Sequence, residues 1–518
     1  MASRAATAQA TAGRDYGIPF VIGASSAGTI IEWYDFYLYA LLTPFLAPLF
    51  FPNDNPTASL LAGFAVYGAG FAVRPFGALV FGRIGDVIGR KYAFLLTVSI
   101  MGAATLIVGL LPTYAQIGIL APLILVTLRL LQGLALGGEY GGAAIYVAEH
   151  APDGKRGLYT SWIQTTATIG MFCGLGVILA TRVAFGDDTY KAWGWRVPFL
   201  LSAVLVAGAL YIRARLQETP LFQRIKAAGQ TARNTTTWAK DSFSGNKVGV
   251  ILLVLVGMTA GQAVVWYQGQ FQALFFLGTL MKVNYVAAYT ILLVAIACAT
   301  PFFIIFGWLS DRVGRKPVIL GGCLLAAITY VPIYQAMLAH GNLTYDAAGK
   351  IASANPNMVA ETVLVWIQIL YVTMVYGPIA AFLVEYFPAR IRYTSLSIPY
   401  HLGNGWFGGW LPFIFLGIVA ATVTGQGYVP FFNIGPLPGF DLRGLNPGGD
   451  PNGNLLAGLI YPIAVALISV VVGGLFIPET KDRKIWDEVH AMEQAGAMPA
   501  ESVAGAAQAA PASGGLAG

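Results

Sequence analysis

GRIGDVIGRK at residues 82–91 returns 225 residues later as GWLSDRVGRK at residues 307–316. Gly82, Asp86, Gly89, Arg90 and Lys91 find their copies in Gly307, Asp311, Gly314, Arg315 and Lys316. A second pair stands at an offset of 236, where Glu149, Pro152, Arg156 and Ser161 recur as Glu385, Pro388, Arg392 and Ser397. Two motifs in the same order at nearly the same offset mark an internal duplication. Each lies at the end of a long apolar stretch, so the duplicated unit is a set of helices.

Composition identifies the solvent of those helices. Charged residues make up 10% of the 518 and hydrophobic residues 57%, with a mean hydropathy of +0.67. A soluble domain carries about 25% charged residues, so lipid must cover much of this surface. Stretches long enough to span a bilayer fall near 19–45, 57–81, 92–111, 118–147, 158–180 and 196–213. Six more follow near 247–277, 285–308, 317–338, 361–386, 393–421 and 455–477. The expected fold is an all-α membrane protein of twelve transmembrane helices in two pseudo-symmetric halves.

The halves are residues 19–213 and 247–477, joined by a polar linker at 214–246. Residues 1–18 precede them, and a tail at 478–518, rich in Ala, Gly, Pro and Ser after 491, is expected to be disordered. The first apolar segment carries Glu32 and Asp35 and is read as a retained helix, not a signal peptide. Cys173, Cys298 and Cys323 lie in apolar stretches without ligand spacing and are read as packing residues.

Lys and Arg set the orientation. With the N-terminus inside, 22 of the 30 fall in inner segments, 6 in outer ones, and Arg74 and Arg129 lie within helices. Both termini are therefore expected in the cytoplasm, the chain crossing the inner membrane many times. The net charge of +6 reflects this sidedness, and no nucleic-acid partner is read from it.

Ionisable groups at bilayer depth are costly unless paired or wet, so each is a functional candidate. The first half holds Glu32, Asp35, Arg74, Arg129 and Glu139. At about 1.5 Å rise per residue, depth matches Asp35 with Arg129 and Arg74 with Glu139. Either couple is read as a structural ion pair or as a contact for cargo. Glu32 is left over near the centre, and desolvation favours the neutral form of such a carboxyl. Glu32, Asp35 and Glu139 are the proton-coupling candidates, with Glu32 first.

On the fourth span Arg129, Gln132, Glu139 and Tyr140 share one helical face, as a cavity lining would. Gly133, Gly137 and Gly141 recur every fourth residue and admit a close neighbouring helix. In the second half Gln262, Trp266 and Gln270 recur at helical spacing, either as substrate contacts or as hydrogen bonds between helices. His401 lies within a span, as a packing residue or as a further binding group. Two deep arginines favour an anionic cargo, because a guanidinium holds a carboxylate at two points.

These sequences resemble the major facilitator superfamily, whose signature is the loop at Gly82–Lys91. IEWYDF (31–36), RPFG (74–77), RLLQG and GGEYGG (129–142), AWGWRVPF (192–199), ETPLF (218–222) and FPARIRY (387–393) narrow the resemblance. They are similar to the metabolite–proton symporter branch, with its carriers of 2-oxoglutarate, citrate, shikimate and proline or betaine. The resemblance implies a transporter that works by alternating access and draws on the proton gradient without a cofactor. It also implies a gate in which Arg90 pairs with Glu149, and Arg315 with Glu385 as the weaker copy. Asp86, Arg156, Asp311 and Arg392 complete that set of gating charges.

No GxxxxGK[ST], HExxH or GxSxG is present, so nothing in the sequence points to an ATP-driven pump or a hydrolase. The alternatives left open are an osmolyte symporter for proline or betaine and a transporter-like sensor. The expected partners are a small solute, protons and lipid, the protein acting as a monomer.

Overall fold

The computed structural model describes residues 18–87, 90–138, 140–215, 247–387, 392–423 and 442–484. Twelve spans cross the bilayer. Span 1 is Ile18–Phe50, span 2 Pro56–Ala72 continued by Arg74–Val87, and span 3 Arg90–Leu110. Span 4 is Leu120–Gly137 with Tyr140–His150, span 5 Arg156–Ala192, and span 6 Val197–Arg215. The second half repeats the order. Span 7 is Val248–Leu280, span 8 Tyr285–Val313, and span 9 Arg315–His340. Span 10 is Met358–Tyr376 with Ile379–Tyr386, span 11 Arg392–Leu402 with Leu411–Ala421, and span 12 Ile460–Phe476. The repeated turns after spans 2 and 8 lie at one end of the bundle, here termed the motif face; the opposite end is the far face.

Several spans are broken, each for a local reason. Span 2 interrupts at Val73, before Arg74 and Pro75, because proline has no N–H to continue the ladder. Span 10 interrupts at Gly377–Pro378 in the same way. Span 11 is π-helical over Gly403–Gly408, and span 7 over Leu255–Thr259, Gln268–Gln272 and Phe276–Leu280. Widened turns of this kind weaken the helix and cluster at functional positions.

The glycine spacing of span 4 serves span 2. A side-chain carbon at Gly133 or Gly137 would collide with the carbonyls of Gly70 and Arg74. The two backbones therefore touch, which brings Arg74 and Arg129 into one neighbourhood.

At the far face residues 343–354 form an antiparallel hairpin, Leu343–Tyr345 against Ile351–Ala354. The segment from 442 docks on it, the Ile351 amide donating to Asn452 Oδ1 at 2.8 Å. A cleft of ≈ 550 Å³ lies between them, remote from the buried charges of the bundle centre.

Candidate functional site

At the centre of the first half, span 1 presents a run of aromatic side chains. Arg129 lies 1% exposed, its guanidinium 4.5 Å from the Phe36 ring and 4.6 Å from the Tyr39 ring. Its Nη1 donates to Gln132 Oε1 at 2.6 Å, and Gln132 in turn donates to Thr105 at 2.7 Å. Nε and Nη2 of Arg129 have no hydrogen-bond partner among the described residues. Arg74 repeats the pattern. It faces Trp33 at 5.5 Å and Phe71 at 5.2 Å, and its Nε and Nη2 are also unbonded. The Tyr67 phenol is within electrostatic reach of both guanidiniums.

Asp35 does not pair with Arg129. Its carboxyl is 1% exposed, makes no hydrogen bond of ordinary length among the described residues, and has Ser202 of span 6 as its polar neighbour. The physical reason is azimuth. Asp35 and Phe36 differ by about 100° around span 1, and it is the Phe36 side that Arg129 touches. Among the described residues of the first half, the carboxyl left over is thus Asp35. Glu32, 2% exposed, is not without a partner. Glu139 and the side chain of Tyr140 lie outside the described residues, as does the expected couple of Glu139 with Arg74.

The second half closes on this site with aromatic and amide groups. Trp266 packs 5.7 Å from Tyr37 and 6.0 Å from Tyr376, and Tyr37 lies 5.1 Å from Phe271. Gln262 and Asn404 bond across spans 7 and 11 at 3.3 and 3.4 Å. Trp266 Nε1 and both amide atoms of Gln270 are buried without partners. His401, fully buried against Tyr400, is within electrostatic reach of Arg74 and so joins span 11 to the basic site. A site ringed by unbonded donors and aromatic faces can hold a small polar solute by charge, hydrogen bonds and ring contacts together.

The motif face is shut by charge. Arg315 forks Glu385, Nη2 at 2.9 Å and Nε at 3.1 Å, while its Nη1 reaches Asp311 at 2.6 Å. Asp311 crosses between the halves to accept the Gly157 and Leu158 amides, both at 2.8 Å. Those amides are the open donors at the start of span 5, where the helix dipole favours an anion. Arg156 pairs with Asp153, donates to the Arg483 carbonyl and lies 3.9 Å from Glu385. Arg392 is buried and donates to the Phe387 carbonyl. The side chains of Asp86, Arg90 and Glu149 lie outside the described residues, so the first copy of the gate is not seen.

Sequence reasoning missed part of this gate. Residues 478–484, taken as the start of a tail, pack into it. Glu479 accepts the Arg315 and Lys316 amides at 2.9 and 3.0 Å, and Thr480 donates to Glu385 at 2.9 Å. An acidic residue directly after the last apolar span was the available signal. Gln164 of span 5, which donates to the Tyr376 carbonyl at 3.0 Å across the interface, carried no such signal.

The far face is shut as well. The Tyr289 hydroxyl donates to the Leu41 carbonyl at 2.9 Å, and Phe64 meets Phe275 at 4.6 Å. At mid-depth, Trp406 Nε1 donates to the Ala72 carbonyl at 3.1 Å and ties span 11 to span 2. With both ends closed, the central residues are occluded.

Two like six-helix halves, a polar site between them and a closure at each end define a membrane transporter. The family described as "Sugar (and other) transporter" matches residues 20–250. The chain is 36% identical over 399 residues to the inner membrane metabolite transport protein YhjE of Escherichia coli, covering 74% of this chain and 84% of that protein. It is 32% identical over 406 residues to a citrate–proton symporter of Klebsiella pneumoniae, covering 77% and 84%. Its fold matches the partially occluded, inward-open xylose transporter XylE of E. coli at a TM-score of 0.65 and 16% identity, covering 90% and 99%. The chain belongs to the major facilitator superfamily, in its branch of metabolite–proton symporters. It is a multi-pass membrane transporter of small metabolites, not an enzyme.

Proposed function

We propose that this transporter imports a small organic acid anion together with protons, by alternating access, across the inner membrane. The carrying observation is the pair of buried guanidiniums, Arg74 and Arg129, each with Nε and Nη2 unbonded. Two such forks, walled by aromatic rings, suit a carboxylate, which a guanidinium grips at two points. Asp35 supplies the proton. A carboxylate out of water without a partner is costly, so it holds a proton while occluded and releases it when one face opens. The likeness to a citrate–proton symporter supports both halves of this reading.

The motif face is the cytoplasmic one, on the Lys and Arg distribution, so closing of Arg315, Glu385 and Asp311 accompanies outward opening. No cofactor enters; the proton gradient is the energy source.

A second reading has its own observation. Trp33, Tyr37, Trp266 and Tyr376 bring ring faces together around the site, and such a cage binds quaternary ammonium groups. Betaine would then be the cargo, its carboxylate on an arginine. Uptake into vesicles of labelled 2-oxoglutarate, citrate, shikimate, proline and betaine separates the two. Accumulation of an acid supports the first reading and of betaine alone the second. Binding without filling of the lumen would make the protein a sensor.

A further inference from the structure

Glu361 has no role in the site above, yet its placement is unusual. It lies in the first turn of span 10, which Asn357 caps through a 3.1 Å bond from the Ala360 amide. An acid there normally stabilises the helix from the solvent side. Glu361 is instead 0% exposed, and neither carboxyl oxygen has a hydrogen bond.

About two turns further along the same face, roughly 10 Å away, the buried groups are acceptors without donors. Glu361, Val365, Gln368 and Val372 share one buried face of span 10. The π-helical stretch Gln268–Gln272 of span 7 packs on that span. Among the buried amides of this interface, the Oε1 atoms of Gln268, Gln272 and Gln368 have no donor among the described residues. Their nitrogens are used elsewhere for Gln268, on Tyr334, and for Gln368, on Met337. Buried acceptors without donors call for water or a proton, and a protonated carboxyl supplies one O–H.

Packing does not require the acid. At the repeat offset of 236 the first half has Leu125, equally buried at 0%. An apolar side chain fills the corresponding place, so the carboxyl of the second half is an addition specific to it.

The titratable groups near this end of the neighbouring elements are Lys282 after span 7, Tyr285 and Tyr289 on span 8, and Tyr334 and His340 on span 9. Span 10 itself adds Tyr371 and Tyr376, and the hairpin turn Asp346 and Lys350. None forms an ion pair or hydrogen bond with Glu361.

We propose that Glu361 is a second proton-binding carboxyl of the transport cycle, set in the half opposite Asp35 and exchanging with the solution at the far face. The buried amides below it are the hydrated start of its path toward the centre. The proposal rests on the proton-coupled reading, and it raises the proton-to-solute ratio by one above what Asp35 alone supports.

Two measurements on the full-length protein test it. Infrared spectra of the purified transporter across a pH series should show a protonated-carboxyl band that titrates, is absent in Glu361→Gln and survives in Glu361→Asp. In vesicles, the proton-to-solute ratio for whichever labelled acid or betaine the wild type accumulates should fall by one in Glu361→Gln, with transport retained. An unchanged ratio overturns the proposal even if the band is lost, because Glu361 is then a fixed neutral acid. A band that does not titrate overturns it as well. A wild type indifferent to the pH gradient instead removes the proton-coupled reading, and this inference with it.

Discussion

Arg315 holds Glu385 at two points, 2.9 and 3.1 Å apart, with both side chains fully withdrawn from solvent. The couple links the turn after span 8 to the motif-face end of span 10. Through Asp311 it also clamps the start of span 5 in the other half. A pair so buried is costly to halve, about 3–5 kcal/mol, whereas removing both charges is far milder.

Glu385→Ala should therefore lower transport strongly and leave the motif face open. A cysteine introduced on that side of the site should label faster with a thiol reagent. Arg315→Met combined with Glu385→Met should recover expression but not the closed gate. Equal labelling in wild type and Glu385→Ala would mean the couple does not hold the gate.

Gly307 tests the same closure by shape alone. A side-chain carbon there would sit 2.5 Å from Ser161 Cβ and 2.6 Å from the Gly157 carbonyl, closer than real contacts. Gly307→Ala should push spans 5 and 8 apart at the motif face and reduce the transport rate. Solute affinity should change only through the shifted population of states. A large change in affinity measured with the gate locked open would place Gly307 in the solute site instead.

Arg129 tests the cargo. Lysine keeps the charge but loses the fork. Arg129→Lys should raise KM for an acidic solute roughly tenfold or more, since a charge-assisted hydrogen bond is worth about 1.5–3 kcal/mol. Betaine uptake, if that is the cargo, should suffer less than removal of Trp266. Unaltered KM in Arg129→Lys would assign the residue to structure.

The repeat made the architecture readable: GRIGDVIGRK and its copy mark two halves, and hydropathy located all twelve spans. The broken spans were harder to read, since Pro75 and Pro378 signal interruptions, but the π-turns of span 7 have no residue signature. Depth along a helix placed Asp35 and Arg129 at one level. It could not say which way each faces, and packing turned Asp35 toward Ser202. The gate was legible in part: Arg315, Glu385 and Asp311 stand in repeated motifs, whereas Glu479 and Thr480 stand in none.

The central claim is that solute movement is coupled to a proton carried by Asp35. Purified transporter in vesicles, given an imposed pH gradient and a labelled solute that the wild type concentrates, tests this directly. Asp35→Asn should keep exchange of solute across the membrane and lose accumulation against its gradient, while Glu32→Gln should retain some accumulation. If Asp35→Asn still concentrates solute as the wild type does, the proton is carried elsewhere and the account fails.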